Sequence, residues 1–355
     1  MRVILDILTP KQCMFFYRLV QYLSKKGCEV YCLTRKYREV NELLKLMKIE
    51  AKTIGEHGGR DLSNKLRSSS ERIIQLIDVY KKIDPDVSIS FSSPEMARAS
   101  FGLKVPHISI NDSPHAEAVA RLTLPLSVRL LTPFVIPKKT WMVYGISSKD
   151  IIQYKALDPW MWLKDFKPKD QILKDLGLDG SKPILTFRTE EGFASYLLGK
   201  IPQISFIIST INKLLQKRGD LQIVVIPRYS EQISELNKTL GGKAFICDSV
   251  IDGPSLLHFS TIFIGSGGTM NAESAILGVP TFSTYPGETT LIERYLIKKG
   301  LIKRETKYEL IWKRILRMLE RIDDIKREQA RKAKELVEEF EDPLEKIIEA
   351  IESFR

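Results

Sequence analysis

The chain has 355 residues, 43% of them hydrophobic and 28% charged, and this length indicates two globular domains and not one core. The net charge of +11 favours an anionic partner, although the solvated Lys/Glu surface of a heat-adapted protein has the same composition. No charge-free stretch of about 20 residues occurs, so we expect no membrane-spanning helix. The four cysteines form no CxxC pair, so we expect free thiols in a reducing cytoplasm. The basic residues are dispersed without an RNP-like motif, so we expect no nucleic-acid partner.

Short apolar runs in the first half of the chain predict strands, and they alternate with segments of helical periodicity. The predicted strands are residues 3–5, 29–33, 51–54, 87–91 and 106–110. The predicted helices between them are residues 15–25, 41–47 and 73–80. The first apolar run is short and ends at Asp6, so we expect no signal peptide. Alternation at this spacing is typical of βαβ units around a parallel sheet.

A second alternating series follows residue 183. Its predicted strands are residues 183–187, 221–226, 244–246, 261–264 and 280–283, with helices at 201–217, 254–259 and 271–277. From residue 308 the chain is charged and helical, with a break near Asp342 and Pro343. We predict an α/β protein of two doubly wound parallel-sheet domains, residues 1–165 and 166–340, which face each other across a cleft. Ligands of such sheets bind beyond the carboxyl ends of the strands.

The most specific local pattern joins the predicted strand 261–264 to the helix that follows it, through Gly265, Ser266, Gly267, Gly268 and Thr269. Glycines let a backbone approach a ligand and turn amide N–H groups inward, and the following helix adds its positive N-terminal end. The pattern therefore indicates a phosphate cradle, with Glu273 one turn into the helix as acceptor for a ribose hydroxyl. The alternative is a tight strand-to-helix turn in which Glu273 serves the helix dipole.

Several motifs together resemble the archaeal DUF354 family, which is similar to GT-B glycosyltransferases and to non-hydrolysing UDP-N-acetylglucosamine 2-epimerases. The motifs are "IGEHGG" (54–59), "FSSPEMARASFG" (91–102), "NDSPHAEAVARLT" (111–123), "YGI" (144–146), "YKALDPWMWL" (154–163) and "GSGGTMNAESAILG" (265–278). The resemblance implies two Rossmann-like domains in a GT-B-like arrangement, with a nucleotide-sugar donor in residues 166–340 and an acceptor or sugar site in residues 1–165. It also implies a C-terminal helix, residues 341–355, that packs back on the first domain, and no metal or other cofactor.

The chain departs from the related families at two places. Many DUF354 members have His-x-His before a pair of phenylalanines, where this chain has Gln12, Cys13 and Met14. The 2-epimerases have a His-Arg-Arg-Glu-Asn run where this chain reads Phe187-Arg188-Thr189-Glu190-Glu191. The missing histidine disfavours epimerase chemistry that relies on it.

Two arginines follow predicted strands of the second domain. Arg188 ends the strand 183–187, and Arg228 follows the strand 221–226. Both are therefore expected above the same sheet edge as the glycine loop, where a guanidinium fork suits phosphate oxygens.

Candidate catalytic residues follow strands of the first domain. His57 precedes Gly58 and Gly59 after an apolar strand and is our first candidate for a general base, with a loop histidine of no role as the alternative. Asp112 and His115 follow the strand 106–110 on a loop that we expect near His57; there Asp112 could instead cap a helix. Asp6 is a further candidate, because it ends the first strand.

Other polar residues have two interpretations. Ser93 and Glu95 mark either a helix start at Pro94 or contacts to sugar hydroxyls. Thr9, together with Gly58 and Gly59, is grouped with them as a sugar or acceptor contact. Residues 118–136 form the most apolar segment, with Arg121 and Arg129 among leucines; it is either core, an interdomain wall, or a patch that contacts an anionic membrane surface.

These observations predict a metal-independent glycosyltransferase that moves a sugar from a nucleotide diphosphate, UDP in the first instance, to a glycan or lipid-linked acceptor. A nucleotide-sugar 2-epimerase and a nucleotide-sugar-binding protein without turnover remain the alternatives. We expect a cytoplasmic protein that can contact the inner membrane face.

Overall fold

A computed structural model of the protein describes residues 1–59, 61–189 and 204–354. The chain divides into two units, one made of Met1–Lys164 with Phe340–Arg355 and the other of Asp165–Glu339. Each unit is built on a parallel β-sheet with helical crossovers, as the alternating pattern predicts. Glu190 and Glu191, at the end of the run compared with the epimerases, lie outside the described residues, as does the start of the predicted helix 201–217.

The first unit contains a parallel sheet whose strands are β1 (Arg2–Asp6), β2 (Glu29–Lys36), β3 (Ala51–Glu56), β4 (Val87–Ser90), β5 (His107–Ile110), β6 (Arg129–Pro133) and β7 (Ile151–Tyr154). The helices between them are α1 (Pro10–Lys25), α2 (Arg38–Leu46), α3 (Leu62–Ile83), α4 (Pro94–Gly102), α5 (Glu117–Thr123), α6 (Lys138–Met142) and α7 (Trp160–Leu163). The strand order is β3-β2-β1-β4-β5-β6-β7, so the direction of winding reverses between β1 and β4.

The second unit has strands β8 (Ile184–Arg188), β9 (Gln222–Ile226), β10 (Phe245–Ile246), β11 (Ile262–Gly265), β12 (Thr281–Ser283) and β13 (Ile302–Arg304). Its helices are α8 (Gln171–Asp175), α9 (Ser205–Lys217), α10 (Ser230–Leu240), α11 (Gly253–Phe259), α12 (Thr269–Ile276), α13 (Leu291–Lys298), α14 (Tyr308–Leu319) and α15 (Ile322–Glu338). Here the order is β10-β9-β8-β11-β12-β13, and the winding reverses between β8 and β11.

The last helix, α16 (Pro343–Glu352), belongs to the first unit. Asp342 caps its N-terminus by accepting a hydrogen bond from the Leu344 amide at 3.1 Å. The same carboxylate accepts two hydrogen bonds from Arg18 of α1, at 3.0 and 2.7 Å, and pairs with Lys164 at 2.8 Å. Charged groups from three parts of the first unit therefore hold the start of α16.

Buried aliphatic side chains on both faces of the central strands form the cores, as expected for parallel sheets covered by helices. Ile4, Leu33 and Ile54 pack against α3 and α4 in the first unit. In the second, Leu185, Ile223 and Ile262 pack with residues of α9 and α14. The strands are therefore fixed by burial, and their carboxyl ends are positioned accurately for function.

Among the described residues, no helix is both long and apolar enough to cross a membrane.

Candidate functional site

The carboxyl ends of β8, β9 and β11 lie level with one another in the second unit. Arg188 is the register partner of Gly265 on β11 and of Ile226 on β9. This edge lies beside the point where the strand order reverses, which is where open α/β sheets bind their ligands. The glycine loop, Gly265–Thr269, starts at this edge.

Backbone geometry explains the glycines of this loop. Gly267 and Gly268 have φ angles of +89° and +85°, a backbone conformation that residues other than glycine rarely adopt. Gly268 is the N-cap of α12, and Thr269 is its first residue. The amide groups at the start of α12 therefore form a positive end next to the loop, the arrangement that binds phosphate groups.

Arg228 reaches this loop, whereas Arg188 holds the backbone beside it. Nη2 of Arg228 lies 3.9 Å from the position that a Cβ atom on Gly268 would occupy. Nη1 of Arg188 donates to the carbonyls of Ile226 and Pro227, at 3.2 and 2.8 Å. Arg228 is therefore next to the glycine loop in the structure, and a diphosphate contact by Arg188 stays a prediction.

Further hydrogen bonds position the groups around the loop. Oε1 of Gln232 accepts from the Arg228 amide at 2.8 Å and from Oγ1 of Thr189 at 2.8 Å. Oγ of Ser266 lies 3.1 Å from Oγ1 of Thr284, within hydrogen-bond distance. Glu273 is buried on α12. Its contact with a ribose is not tested by this geometry and stays a prediction.

Asn271 is a residue of this site that the sequence did not indicate. Its side chain is 2% exposed, and neither Nδ2 nor Oδ1 has a hydrogen-bond partner within the described part of the chain. Oδ1 lies 2.0 Å from the position of a Cβ on Gly265, so only glycine leaves room for the amide there. Buried amides are almost always hydrogen-bonded, so an amide without partners beside the glycine loop is a candidate binding position.

In the first unit, Asp6 is bound to another buried residue. Arg72 of α3 donates to its two carboxylate oxygens at 2.9 and 2.6 Å, and both side chains are almost completely buried. Arg72 also donates to the carbonyl of Ile54 at 2.9 Å. This pair joins α3 to the sheet. Asp6 therefore has a structural partner at each oxygen, which removes the reason for including it among the candidate bases.

A second charged group lies beyond the carboxyl ends of the strands of the first sheet. It centres on Lys11, the second residue of α1. Its Nζ lies 2.6 Å from Oδ2 of Asp112, which follows β5, and 2.6 Å from Oδ2 of Asp158, which follows β7. The ammonium also lies 4.2 Å from the ring centroid of Phe91. The Tyr154 hydroxyl donates a short hydrogen bond to Oδ1 of Asp158. We call Lys11, Asp112, Asp158 and Tyr154 the lysine–aspartate cluster.

The two carboxyl groups of this cluster have pKa values displaced in opposite directions. Burial, opposed by Lys11 and reinforced by the charge of Asp112, raises the pKa of Asp158 to about 6. Burial also acts to raise the pKa of Asp112, but the Lys11 ammonium and the Ser113 hydroxyl outweigh it and lower this pKa. Asp112 is 17% exposed and Asp158 only 1%. Carboxyl pairs displaced apart in this way are typical of acid–base sites.

His57 and the lysine–aspartate cluster follow different strands of the first sheet. His57 follows β3, the edge strand, and Asp112 follows β5, four strands away. Since neighbouring strands lie about 4.8 Å apart, these strand ends are separated by about 19 Å. Side chains can bridge such a spacing, as Lys11 after β1 and Asp158 after β7 do, so the expectation that His57 and the Asp112–His115 loop lie together stays a prediction.

The loop after His57 is held by local contacts. Nδ1 of His57 accepts a hydrogen bond from the Gly59 amide at 3.1 Å, and the ring lies 5.4 Å from that of Tyr37. A Cβ on Gly58 would come within 2.5 Å of the backbone of Lys65. Gly58 is thus required for packing against α3, and contacts of either glycine with an acceptor stay predictions.

The remaining candidates of the first unit include two helix caps. Thr9 caps α1, and Ser93 caps α4 by accepting from the Met96 amide at 3.2 Å, with Pro94 as first helical residue. Ser93 also donates to Glu95 at 3.2 Å, and both are buried. These contacts favour the helix-start interpretation of Ser93 and Glu95.

Asp112 does not cap a helix, because α5 begins only at Glu117 with Ala116 as N-cap. His115 lies on the same loop and is exposed. Partial burial of its ring lowers its pKa, against the opposing effect of Asp112.

Lys11 and Asp158 were not identified from the sequence. Lys11 is one of 55 basic residues, and no local pattern distinguishes it. Asp158 carries a weak signal, since it is an aspartate within an apolar segment and lies four residues after Tyr154. An acidic residue among tryptophans and leucines is usually buried with a partner, and that partner could have been sought at another strand end.

The two parallel sheets and their helices define a two-domain α/β protein with the GT-B-like fold of nucleotide-sugar enzymes. The UDP-GlcNAc 2-epimerase of Neisseria meningitidis bound to UDP-GlcNAc has a similar structure, with a TM-score of 0.78, 18% identity, and coverage of 99% of this chain and 100% of that one. The 2-epimerase of Methanocaldococcus jannaschii in complex with UDP-GlcNAc and UDP has a TM-score of 0.71 at 14% identity, with coverage of 99% and 100%.

The particular family follows from the sequence match. The family model described as "Protein of unknown function (DUF354)" matches residues 1–354, and the chain belongs to this family. An uncharacterized protein of Methanocaldococcus jannaschii is 36% identical over 303 residues, which are 83% of this chain and 85% of the relative.

Proposed function

We propose that this protein is a glycosyltransferase that uses a nucleotide-diphosphate sugar, with UDP as the first nucleotide to test. The observation that carries the proposal is the approach of Arg228 to Gly268, at the edge where the second sheet reverses its winding. A guanidinium, two glycines with positive φ angles and a helix N-terminus converge there. Each of these groups binds phosphate oxygens.

Bond cleavage in such a transfer leaves negative charge on the departing diphosphate. As the bond between the anomeric carbon and the diphosphate oxygen breaks, that oxygen gains charge. Arg228 and the amide groups at the start of α12 are fixed before the reaction and can stabilise the charge without reorganisation. These groups make a metal ion unnecessary in the proposed mechanism.

The lysine–aspartate cluster supplies the proton acceptor in this proposal. Asp112 is the more accessible of the two carboxylates and takes the proton from the attacking hydroxyl. Lys11 contacts both carboxylates, so it can give a proton to Asp158 and receive the one on Asp112. The proton then remains on Asp158, whose pKa is the higher of the two. The contacts of Lys11 with both carboxylates, and their pKa values displaced in opposite directions, are the reason for preferring Asp112 over His57 as the base.

A nucleotide-sugar 2-epimerase is the second candidate. It is favoured by the similar solved structures, which are UDP-GlcNAc 2-epimerases bound to UDP-GlcNAc or UDP. Two carboxyl groups with pKa values displaced apart also suit an epimerase, which removes a proton and returns one. The absence of a histidine before Arg188 disfavours epimerase chemistry that depends on that histidine.

Incubation with 13C-labelled UDP-GlcNAc, followed by NMR, separates these functions. Release of UDP with free or transferred sugar supports the transferase, and UDP-ManNAc supports the epimerase. Binding without product indicates a protein without turnover. A thermal-shift screen of UDP, GDP, ADP and dTDP fixes the nucleotide beforehand, and no shift with any of them would overturn the proposal.

Two variants connect products to the assigned groups. Arg228→Gln should weaken UDP binding by at least about tenfold, the loss of one charge-assisted contact, and leave uridine binding unchanged. Asp112→Asn should keep UDP affinity and lower turnover by about 10²–10⁴-fold. Arg218→Gln and Asp150→Asn are the matched controls. Arg218 pairs with Asp220 and Asp150 pairs with Arg129, and these pairs belong neither to the glycine loop nor to the lysine–aspartate cluster.

A further inference from the structure

Leu122 in the apolar segment 118–136, and two apolar residues that follow this segment, are exposed. β6 is buried, but Leu122 on α5 is 58% exposed and Val143, after α6, is 69% exposed; Met142 is also exposed. These residues belong to one region of the first unit, because the Arg121 guanidinium lies 5.7 Å from the ring centroid of Tyr144. Exposed apolar side chains that cluster in this way indicate an interaction surface.

The same region is basic. Between positions 118 and 149 the chain has five basic residues and no acidic one. The basic residues are Arg121, Arg129, Lys138, Lys139 and Lys149. Lys139 and Lys149 are exposed, whereas Arg121 and Arg129 pair with Glu117 and Asp150 at the ends of the segment. An anionic surface is the partner that this charge favours.

This surface adjoins the loop of the lysine–aspartate cluster. The Tyr144 hydroxyl donates a hydrogen bond to the carbonyl of Pro114 at 2.7 Å. Pro114 lies on the loop between Asp112 and His115. A molecule bound over Val143 is therefore close to the loop that carries the candidate base.

We propose that Leu122, Met142 and Val143, with Lys139 and Lys149, form a docking surface for an anionic lipid bilayer. The apolar side chains enter the boundary between headgroups and acyl chains, and the lysines contact lipid phosphates. A nucleic acid would engage the lysines but leave Leu122 and Val143 in water. The inference rests on the proposed function in one respect, since it makes the acceptor lipid-linked, with its reacting hydroxyl presented at the Asp112 loop.

Co-sedimentation with vesicles tests the surface without any nucleotide sugar, so docking and the proposed function can fail separately. Vesicles of phosphatidylglycerol and phosphatidylcholine should bind the full chain, and vesicles of phosphatidylcholine alone should not. Lys139→Gln and Lys149→Gln should each weaken binding about fivefold, the usual effect of one basic residue at an anionic surface. Leu122→Ser with Val143→Ser should weaken it about 20-fold or more.

The apolar matched control lies on α3, where Leu66 is 70% exposed and Leu62 similarly so. Leu62→Ser with Leu66→Ser should leave vesicle binding unchanged, and an equal loss in both double variants would overturn the proposal. Absence of binding to anionic vesicles would also overturn it. So would a finding that Leu122→Ser with Val143→Ser loses RNA binding or self-association as strongly as it loses vesicle binding. Circular dichroism melting checks that each variant is folded.

A labelling experiment gives a second readout in folded protein. All four native cysteines are buried, so Val143→Cys can be labelled selectively with an environment-sensitive maleimide dye. Its fluorescence should rise and shift to the blue on addition of anionic vesicles, whereas the dye on Leu66→Cys should not respond. The reverse pattern, or equal responses at both positions, would contradict docking through this surface.

Discussion

The ammonium of Lys11 lies 2.6 Å from a carboxylate oxygen of Asp158, and it lies equally close to one of Asp112. When all three groups are ionised, the cluster carries a net negative charge in a largely buried position. A buried charge without a full counter-charge favours uptake of a proton. Asp158, the more buried carboxyl, is where that proton is held most strongly.

We therefore expect one aspartate carboxyl of the folded protein to titrate near pH 6. The measurement is a 13C NMR titration of the aspartate Cγ signals between pH 4 and 8. Asp158→Asn should remove this titration, because the amide cannot ionise while it still accepts from Tyr154. If an activity is established, the same variant should lose the limb of the pH–rate profile near pH 6.

Asp150→Asn is the control for this titration, since Asp150 pairs at 2.7 Å with the partly exposed Arg129. It should leave the signal near pH 6 in place. A signal that persists in Asp158→Asn, or the absence of any aspartate titrating between pH 5 and 7, would contradict the assignment. Since the carboxyls interact through Lys11, the titration belongs to the pair and is assigned by the variants.

The alternating pattern of apolar runs was sufficient to predict the fold, because a parallel sheet covered by helices requires continuous apolar strands. The run Ile262–Gly265 and the helix that starts at Thr269 are an example, since glycines end one element and begin the next. The prediction of two parallel-sheet units is confirmed. Of the two interpretations given for Ser93 and Glu95, the helix start at Pro94 agrees with α4.

The sites were less predictable, because contacts between distant strand ends depend on strand order. His57 and Asp112 both follow strands, and their separation depends on β3 being an edge strand, which periodicity does not specify. Lys11 and Asp158 lie far apart in the chain. They meet because the carboxyl ends of β1 and β7 lie at the same side of one parallel sheet. The ion pair of Asp6 was not foreseen, because its partner, Arg72, resembles any helical surface arginine in the sequence.

Gly268→Ala tests the glycine loop more cleanly than a change at Gly267. A Cβ on Gly267 would come within 3.2 Å of the Tyr285 ring, but one on Gly268 has Arg228 as nearest neighbour, at 3.9 Å. The added methyl group therefore projects toward the expected diphosphate. We expect UDP affinity to fall at least about tenfold by calorimetry, together with about 1–3 kcal/mol of stability, because φ +85° with ψ −161° is a conformation that essentially only glycine adopts.

Gly242→Ala is the matched control for backbone strain. Gly242 lies in the same unit with a φ of +75°, and a Cβ there would meet nothing within 4 Å. It should lose stability through its positive φ angle and keep its UDP affinity unchanged. Undiminished UDP affinity in folded Gly268→Ala would remove the loop from the donor site.

His107 should make the protein sensitive to acid. Its ring is buried, with Nδ1 2.7 Å from Oγ of Ser88 and Nε2 3.1 Å from Oγ of Ser90. Burial lowers its pKa to about 3, against a small opposing effect of Asp6. The unfolded chain therefore binds one more proton than the folded protein at pH values from 3 to about 6.5. His107 should therefore lower the free energy of unfolding by about 1.4 kcal/mol per pH unit below pH 6.5, whereas the raised pKa of Asp158 contributes in the opposite direction between about pH 4 and 6.

Two measurements check this dependence. Imidazole NMR signals should show that His107 does not titrate between pH 5 and 8. Urea unfolding at several pH values should give slopes of stability against pH that differ by one proton between His107→Gln and the natural chain, with the variant losing less stability on acidification. A His107 signal that shifts between pH 5 and 7 would show that the ring accepts a proton in the folded state.

Asn271→Leu should stabilise the protein and weaken nucleotide binding. A buried amide without partners costs about 1–3 kcal/mol, and leucine has the same branched shape, in a larger volume, without polar atoms. We expect the melting temperature to rise for this reason. UDP affinity should fall, since the amide lies against Gly265 at the start of the loop and we expect the bound nucleotide to supply its hydrogen-bond partner.

Asn111→Leu is the matched control, because Asn111 is equally buried but its Oδ1 accepts from the Ser113 amide at 2.8 Å. That variant leaves the amide without its acceptor and should be destabilised, with UDP affinity unchanged. Calorimetric melting and UDP titration of both variants give four values to compare. A destabilised Asn271→Leu would show that the Asn271 amide has partners in solution, such as ordered water. A stabilised variant with normal UDP affinity would show that the amide lies beside the nucleotide without contacting it.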